Sequence, residues 1–480
     1  MVMPILNIKK IRQKKLKALK KAGVNPYPLE SERTHSIEEA LLNFEKFSKA
    51  RQKLVLVGRI RSIREHGGLT FIHFEDGTGK IQGYFKKDLL GEKKYRFFLE
   101  YFDLGDFIEI EGVLFLTKTG EKTIEVSNFK ILAKALLPLP EKWHGLKDVE
   151  ERFRKRYLDL IMNPEIKEKF KIRSKIIEEL RNIFESQGFL EVETPILQPL
   201  PGGALARPFK TYLNALKLNL FLRVSPELYL KRLLVGGFEK IYEIGRCFRN
   251  EGIDKHHNPD FTILELYWAW QNKDGMMKFI EKFLSDLIKK IKGTLKISYQ
   301  GQKINFSPPF KKITFRDLIK KYCQIDIEKA NLGDLQKKLK EFKIKIEKKA
   351  QRIDCLDALL KKVCAPKLIS PTFVIYHPIE MAILAKASKD PRYADRFQLF
   401  AGGIELINGF SELNDPLEQE ERFKKAKIEP ERKDKDFLEA LQYGMPPAAG
   451  LGMGVDRLVL LLTDSHSLRE VILFPTMRPR

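Results

Sequence analysis

Three short stretches carry the side chains with chemical potential. The first, Glu239 to Trp270, reads EKIYEIGRCFRNEGIDKHHNPDFTILELYWAW. Its composition predicts two strands, Lys240 to Phe248 and Phe261 to Trp268, joined by a polar loop. With a side-chain period of two, Phe261, Ile263, Glu265 and Tyr267 share one face, and Thr262, Leu264, Leu266 and Trp268 the other. A carboxylate between apolar neighbours in mid-strand is costly on a purely structural face. Arg249, Glu251, His256 and His257 gather in the loop above it. Cations and acceptors placed this way suit a nucleotide held on an antiparallel sheet; the plain alternative is a structural hairpin with a solvated charged loop.

The second stretch is GGIELINGFSELNDP, 402–416. Asn408, Phe410 and Glu412 have matching parity, so one face would present them together. Glu405 and Glu412 are seven apart, which on a regular strand sets them on opposite faces. A bulge or strand end is required to bring them together, and Gly409 is the expected place. In the third, GMPPAAGLGMGVDRLVLLL, 444–462, Gly450, Gly452 and Gly454 mark a closely packed strand. A helix then begins with Arg457 in its first turn, and a helix N-terminus with an arginine is an anion site. GLGMGV has neither the Walker nor the Rossmann spacing. A glycine-rich core strand followed by a surface arginine is the competing reading.

FRNEGIDKHHNPDFT resembles motif 2 of the class II aminoacyl-tRNA synthetases, GFLEVETPIL (188–197) resembles motif 1, and 444–462 resembles motif 3. In order, and with 402–416, they span most of the region beyond residue 150 and resemble the bacterial lysyl branch of that class. The resemblance implies an α+β multidomain chain: an N-terminal OB-fold β-barrel, then a catalytic domain of antiparallel sheet flanked by helices. It implies ligation of L-lysine to tRNA(Lys) through a lysyl-adenylate, with ATP as substrate, Mg2+ as cofactor and a homodimer built on motif 1. Carried over by position, Arg249 holds the α-phosphate and the amino-acid carboxylate. Glu251 accepts from the adenine amino group and Phe261 stacks on the ring. His257 and Arg457 meet the β- and γ-phosphates, Asn258 belongs to the ATP site, and Glu405 and Glu412 hold magnesium. The amino acid falls to Gly203, Glu227, Arg249, Glu265, Tyr267, Asn408, Phe410 and Glu412.

Lysine, with two ammonium groups, requires paired acidic partners such as Glu227, Glu265 and Glu412; aspartate would need a cationic clamp instead. Aspartyl and asparaginyl synthetases are the nearest enzymatic rivals. A lysine ligase acting on proteins would lack the N-terminal barrel, and a dead RNA-binding relative would lack Arg249, Arg457, Glu405 or Glu412. One departure stands out. Ala382-Ile383-Leu384-Ala385 precedes Lys386, where the family usually has Ser-Pro-Leu-Ala.

The elements that must position these groups follow from the rest of the chain. Short strands are expected near 54–64, 69–76, 80–85, 106–117 and 122–132, with a helix around 87–102 in the slot between the third and fourth. That order suggests an OB-fold over 51–136, on which Arg61, Phe71, Phe74 and Gln82 are candidate anticodon contacts. Aromatics stack on bases while Arg and Gln read their edges, although a single Phe there is more often core. Residues 1–50 read as a basic helical arm, with eight Lys or Arg and no acid in 1–22, which either touches RNA backbone or is a docking helix with a solvated basic face. Residues 137–150 read as a linker, and 151–480 as the catalytic domain with a helical insertion around 293–370.

A chain of 480 residues exceeds one core, and a formal charge of +24 suits a polyanionic partner, although a lysine-rich surface gives the same excess. The four cysteines have no paired CxxC spacing, so no zinc site or disulfide framework is expected. With no apolar run of membrane-spanning length and no signal peptide, a cytoplasmic location is expected.

Overall fold

The computed structural model describes residues 5–140, 148–204, 206–347, 349–426 and 434–479, so part of the expected linker, 141–147, lies outside the described residues. The chain forms two units, Met1–Leu146 and Lys147–Arg480.

Alternation builds the first unit. Strands β1 (Lys53–His66), β2 (Leu69–Glu75), β3 (Lys80–Lys86), β4 (Phe107–Leu116) and β5 (Lys122–Ala133) close into a barrel of order β1-β2-β3-β5-β4. Every second residue turns inward, among them Leu54, Leu56, Ile72, Phe74, Ile81, Phe85, Ile108, Ile110 and Ile124. Helix Glu92–Tyr101 packs Phe98 on Phe85, ring centroids 4.2 Å apart. A buried aromatic of this kind contributes about 1.5–3 kcal/mol.

Residues 5–50 pack against the barrel. Helix α1 (Ile5–Lys21) buries Leu19 in the barrel's core, which Ile37, Ala40, Phe44 and Phe47 also join. Arg12 is buried and donates to the Ala135 and Leu137 carbonyls at 3.0 and 3.1 Å. Charge runs conceal such pins, because a single arginine in a basic helix reads as solvated.

The second unit is organised by an eight-stranded sheet. Its strands in chain order are β6 (Leu190–Glu191), β7 (Lys240–Phe248), β8 (Asp260–Ala269), β9 (Lys311–Thr314), β10 (Thr372–Ile375), β11 (Arg396–Ala401), β12 (Ile404–Ser411) and β13 (Ala448–Gly454). The spatial order is β9-β10-β11-β12-β13-β8-β7-β6. The six central strands are antiparallel, and only the edge pairs β9–β10 and β6–β7 are parallel. Leu264, Leu266, Leu399 and Met453 point from it into a core shared with α2 (Pro164–Ser186), α4 (Lys273–Lys292) and α6 (Val455–Leu462). Sequence punctuation sets these helices: Pro164 opens α2, the Asn272 side chain caps α4 at Gly275 N–H, and Gly293 ends α4 at φ +71°.

The insertion is helical only from Phe315. Before it, Lys296–Tyr299 and Gln302–Asn305 form a hairpin, and 311–314 is the edge strand β9. Helices Phe315–Cys323, Leu332–Glu341 and α5 (Arg352–Leu359) then enclose a core of their own, followed by a π-helical turn, Leu360–Cys364. All four cysteines are free and buried; the Cys323 and Cys364 sulfurs approach to 3.8 Å.

Candidate active site

The sheet face turned away from that core floors a cavity of about 700 Å³. Parity on β8 delivers Phe261, Ile263, Glu265 and Tyr267 to it, opposite Glu405, Asn408 and Phe410 of β12 and the glycines of β13. Glycine is required at 450: a Cβ there would overlap Glu412 Oε1 and the Tyr267 ring. Gly203 lines the cavity at φ +83°, where a Cβ would press on Ser225 Oγ and Glu227 Cβ at 2.9 and 3.0 Å.

One end of the cavity is dry and acidic. Glu227 opens helix α3 (Glu227–Val235), directly after Pro226, and is buried with Glu265, Glu412 and Tyr267. Glu265 accepts from Ser225 Oγ at 2.6 Å and from the Tyr267 hydroxyl at 3.2 Å. Burial, with Glu227 close by, pushes the Glu265 carboxyl well above the carboxylate range. Burial raises Glu412 likewise, against the pull of Lys231. Burial and the three surrounding carboxylates keep Tyr267 a phenol and thus a donor. Asn408 accepts from Arg396 Nε at 2.8 Å; an arginine only donates, so the bond fixes the amide's orientation and leaves its hydrogens for another partner. Ala382, Ile383 and Leu384 of the departing loop supply apolar wall, held by Leu413 N–H to Leu384 O at 3.0 Å and by Arg422 to Ala385 O.

The other end is cationic and open. Arg457, in the first turn of α6, donates to the Glu405 carbonyl at 3.0 Å and lies 3.3 Å from His257 Nε2. That nitrogen must accept, which places the ring proton on Nδ1, facing Asp254 at 2.9 Å. Burial and then Arg457 lower the His256 pKa, which favours the neutral ring. Arg249 spans the middle. Its guanidinium lies 5.0 Å over the Phe261 ring, and its buried Nε makes no hydrogen bond, an unspent donor for an anion. Glu251 lines the mouth, exposed, with its N–H on the Arg249 carbonyl. Asn258 is buried and braces the loop's return by donating to Asp260 O at 2.6 Å.

Two expectations need correction. The bulge in β12 is not at Gly409, which pairs regularly with Phe397 and Leu451. It falls at Leu406, between the Phe400↔Glu405 and Leu399↔Ile407 pairs, and it turns Glu405 to the cavity face. Gly409 serves close packing instead, since a Cβ would strike the Phe397 ring and Gly450 O. Nor does the Glu405/Glu412 pair fit one magnesium ion. The ladder runs on past Ser411 to Glu412 N–H on Ala448 O, and at roughly 3.3 Å per residue it separates the two by about 20 Å, beyond the span of two side chains. Glu412 instead faces Lys231 at 2.5 Å. Among the described residues no three His, Cys, Asp or Glu converge as a metal site. Glu405 alone, beside the phosphate-end cations, fits an ion that takes its other ligands from substrate phosphates and water.

Sequence reasoning passed over Lys231, Ser225, Arg396 and the insertion's Asp354, Asp357 and Lys361, which reach the cavity rim. Only Arg396 carried a readable signal, a charge at the head of the largely apolar strand β11.

On the barrel, Phe71 stacks on Tyr84 at 5.0 Å, and Tyr84 meets Phe115 at 5.7 Å. Phe74 does not belong with them: three residues from Phe71, it has opposite parity and is fully buried inside. Gln82 is held between Glu121 (2.7 Å) and Thr123 (2.9 Å), while His73 bridges Ser62 (3.0 Å) and Glu121 (2.7 Å). Arg61 occupies a bulge in β1 and pairs with Glu75 at 3.3 Å. Arg64, cross-strand from Phe71 and exposed, is a better-placed cation that sequence reading missed.

A catalytic cavity on an antiparallel sheet, preceded in the chain by an OB barrel, is the class II synthetase arrangement. Residues 148–478 match the family described as tRNA synthetases class II (D, K and N), and residues 54–132 match an OB-fold nucleic acid binding domain. The chain belongs to that class II family. It is similar to the lysine–tRNA ligase of Carboxydothermus hydrogenoformans, 48% identical over 98% of both chains. It is also similar to those of Syntrophomonas wolfei (46%, 99% of this chain and 98% of the relative) and Thermotoga maritima (45%, 98% and 96%).

Proposed function

We propose that the chain joins L-lysine to tRNA(Lys) in two steps, through lysyl-adenylate. The observation that carries lysine is the dry end of the cavity. Glu227, Glu265 and Glu412 are buried together, and among the described residues the only cation in direct ion-pair contact with them is Lys231, which leaves an acidic surplus that an amino acid with two ammonium groups fills. An aspartate side chain would add another negative charge to a surplus of buried carboxylates, and an asparagine amide, although it donates hydrogen bonds, brings no charge to offset them.

The lysine carboxylate attacks the α-phosphorus of ATP and pyrophosphate leaves. Arg249, with its unspent Nε, draws the two anions together and takes up charge at the phosphorus. Arg457 and His257 receive the leaving pyrophosphate, with Phe261 against the adenine and Glu251 at its amino group. Magnesium, held through Glu405, would supply further charge neutralisation on the phosphates. No general base is needed, since the attacking carboxylate is already ionised. A hydroxyl of the terminal adenosine of tRNA then attacks the adenylate carbonyl and AMP departs.

The Phe71–Tyr84–Phe115 face, with Gln82, Arg61 and Arg64, is read as the anticodon platform, and the exposed lysines of α1 as a phosphate contact. A homodimer is favoured by exposed Leu190, Ile196 and Leu197 in the motif 1 stretch, and sedimentation of the purified chain tests it. No helix among the described residues is long and apolar enough to cross a membrane; the cytoplasm, where ATP and tRNA meet, is the proposed location. The deciding experiment is ATP–pyrophosphate exchange with each amino acid in turn. Lysine alone is expected to support strong exchange, and strong exchange with aspartate or asparagine would overturn the assignment.

A further inference from the structure

Lys231 has no role in the reaction as written, yet its side chain is completely buried. Its ammonium lies 2.8 Å from Glu227 Oε1 and 2.5 Å from Glu412 Oε2, with the Phe410 and Phe437 rings 5.2 and 5.9 Å away. Glu227 and Lys231 share one turn of α3, whereas Glu412 lies just beyond β12. The lysine thus ties the helix to the sheet at the acidic end of the cavity. Glu227, Glu412 and Phe410 line the cavity but Lys231 does not, so its ammonium sits behind the wall and acts through the carboxylates it holds.

We propose that Lys231 is a specificity-determining positioning residue, an internal counter-ion that fixes Glu227 and Glu412 and sets the pocket's charge to match a diammonium amino acid. The proposal rests on the lysine reading given above. Three carboxylates this close in a dry site cannot all stay ionised without a cation among them. Lys231 neutralises one equivalent, donating to Glu227 Oε1 and standing in ion-pair contact with Glu412 Oε2. Neither Glu412 oxygen has a hydrogen-bond partner, and Oε1, the one not against Lys231, is left for the substrate. Glu265, aligned by Ser225 and Tyr267, completes the set. A fixed cation therefore makes the site more selective for a cation, because it orders the acids without consuming the acidic surplus.

The test is pyrophosphate exchange by the full chain carrying Lys231→Met, Lys231→Ala or Lys231→Arg, with KM for lysine and for ATP measured separately and melting temperature recorded. Loss of one member of a buried ionic cluster should raise the lysine KM of Lys231→Met by about a hundredfold while the ATP KM moves by no more than about twofold. Lys231→Arg should recover most of that loss. Ethylammonium added to Lys231→Ala at saturating lysine should restore exchange, and tetramethylammonium, which cannot donate hydrogen bonds, should not. An unchanged lysine KM in Lys231→Met, or equal rises in both KM values, would overturn the proposal. So would a Lys231→Ala protein that stays folded and ignores ethylammonium. If the uncharged variants fail to fold, Lys231→Arg decides: folding with near-normal lysine KM upholds the charge, and failure alongside them assigns the residue to packing and ends the proposal. Wild-type exchange on an amino acid other than lysine would sink the substrate reading itself, a result separable from all of these.

Discussion

The two ends of the cavity solve opposite problems with opposite materials. At the amino-acid end the carboxylates of Glu227, Glu265 and Glu412 are buried, each held by a neighbour, with Lys231 already inside. At the phosphate end His257 and Glu251 are exposed, and Arg457 is only partly covered. A small cation must be told apart from other amino acids, so the groups that recognise it are dehydrated and fixed before it arrives. Triphosphate needs charge more than discrimination, and cations on a loop and a helix end provide it while remaining solvated. Burial marks the end that chooses, and exposure the end that grips.

The largest effect should come from the dry end. Glu412→Gln leaves Lys231 with an incomplete partner and removes a substrate contact, so lysine-dependent exchange should fall by about 3–5 kcal/mol, mostly in lysine KM. A change confined to ATP KM would erase the distinction between the ends. Next is Arg457→Ala, expected to cost about 3 kcal/mol in kcat with little change in melting. Because the open end is screened by salt and the dry end is not, the ATP KM should climb with ionic strength more steeply than the lysine KM. Equal slopes would mean that both ends are equally wet.

A pH titration sharpens the same contrast. Burial raises Glu265 and Glu412 above the ordinary carboxylate range. Below that range both are protonated, folded or unfolded, and no difference arises. Above it the unfolded chain has released protons that the folded, ligand-free chain still holds, so stability should decline as pH rises toward the raised values. Lysine favours the ionised carboxylates, so its thermal stabilisation should grow over the same window and its binding should release protons. Calorimetry in buffers of different ionisation enthalpy reads that release. Proton uptake would contradict the charge assignment.

The smallest effect is on the barrel. Phe71→Ala should weaken tRNA binding by about 1–3 kcal/mol, leaving melting of the first unit nearly unchanged, if the outer aromatics stack on bases. Phe74→Ala should instead cost about 3–5 kcal/mol of stability through the cavity it leaves. The reverse pattern would return Phe74 to the binding face.

Much of this was legible because strands count in twos. The face shared by Glu265 and Tyr267, the five barrel strands, and the helix opening before Arg457 all follow from periodicity or punctuation. Phe74 was misplaced where that rule was not applied, since its distance from Phe71 already sets it inside. Leu406 shows the other limit: an extra residue in β12 has no signature, because a bulge depends on the partner strand. Lys231 escaped because glutamate and lysine four apart on a helix look like a surface ion pair. Only the arrival of Glu412 from a distant strand makes that pair internal. Likewise Arg12 shows as a pin only when the Ala135 and Leu137 carbonyls are folded against it.

The burial of all four cysteines has a practical consequence. Maleimides and similar reagents attack exposed thiolates, and Cys247, Cys323, Cys355 and Cys364 are all inside the fold. The native chain is therefore already a quiet background for site-specific labelling. A single cysteine introduced at exposed Gly252, on the rim, where an added Cβ meets nothing within 4 Å, would carry a fluorophore whose emission reports nucleotide arrival. Another at exposed Lys118, in the turn between β4 and β5, would respond to RNA. The two events of a turnover could then be timed separately in one polypeptide, with no prior removal of native thiols.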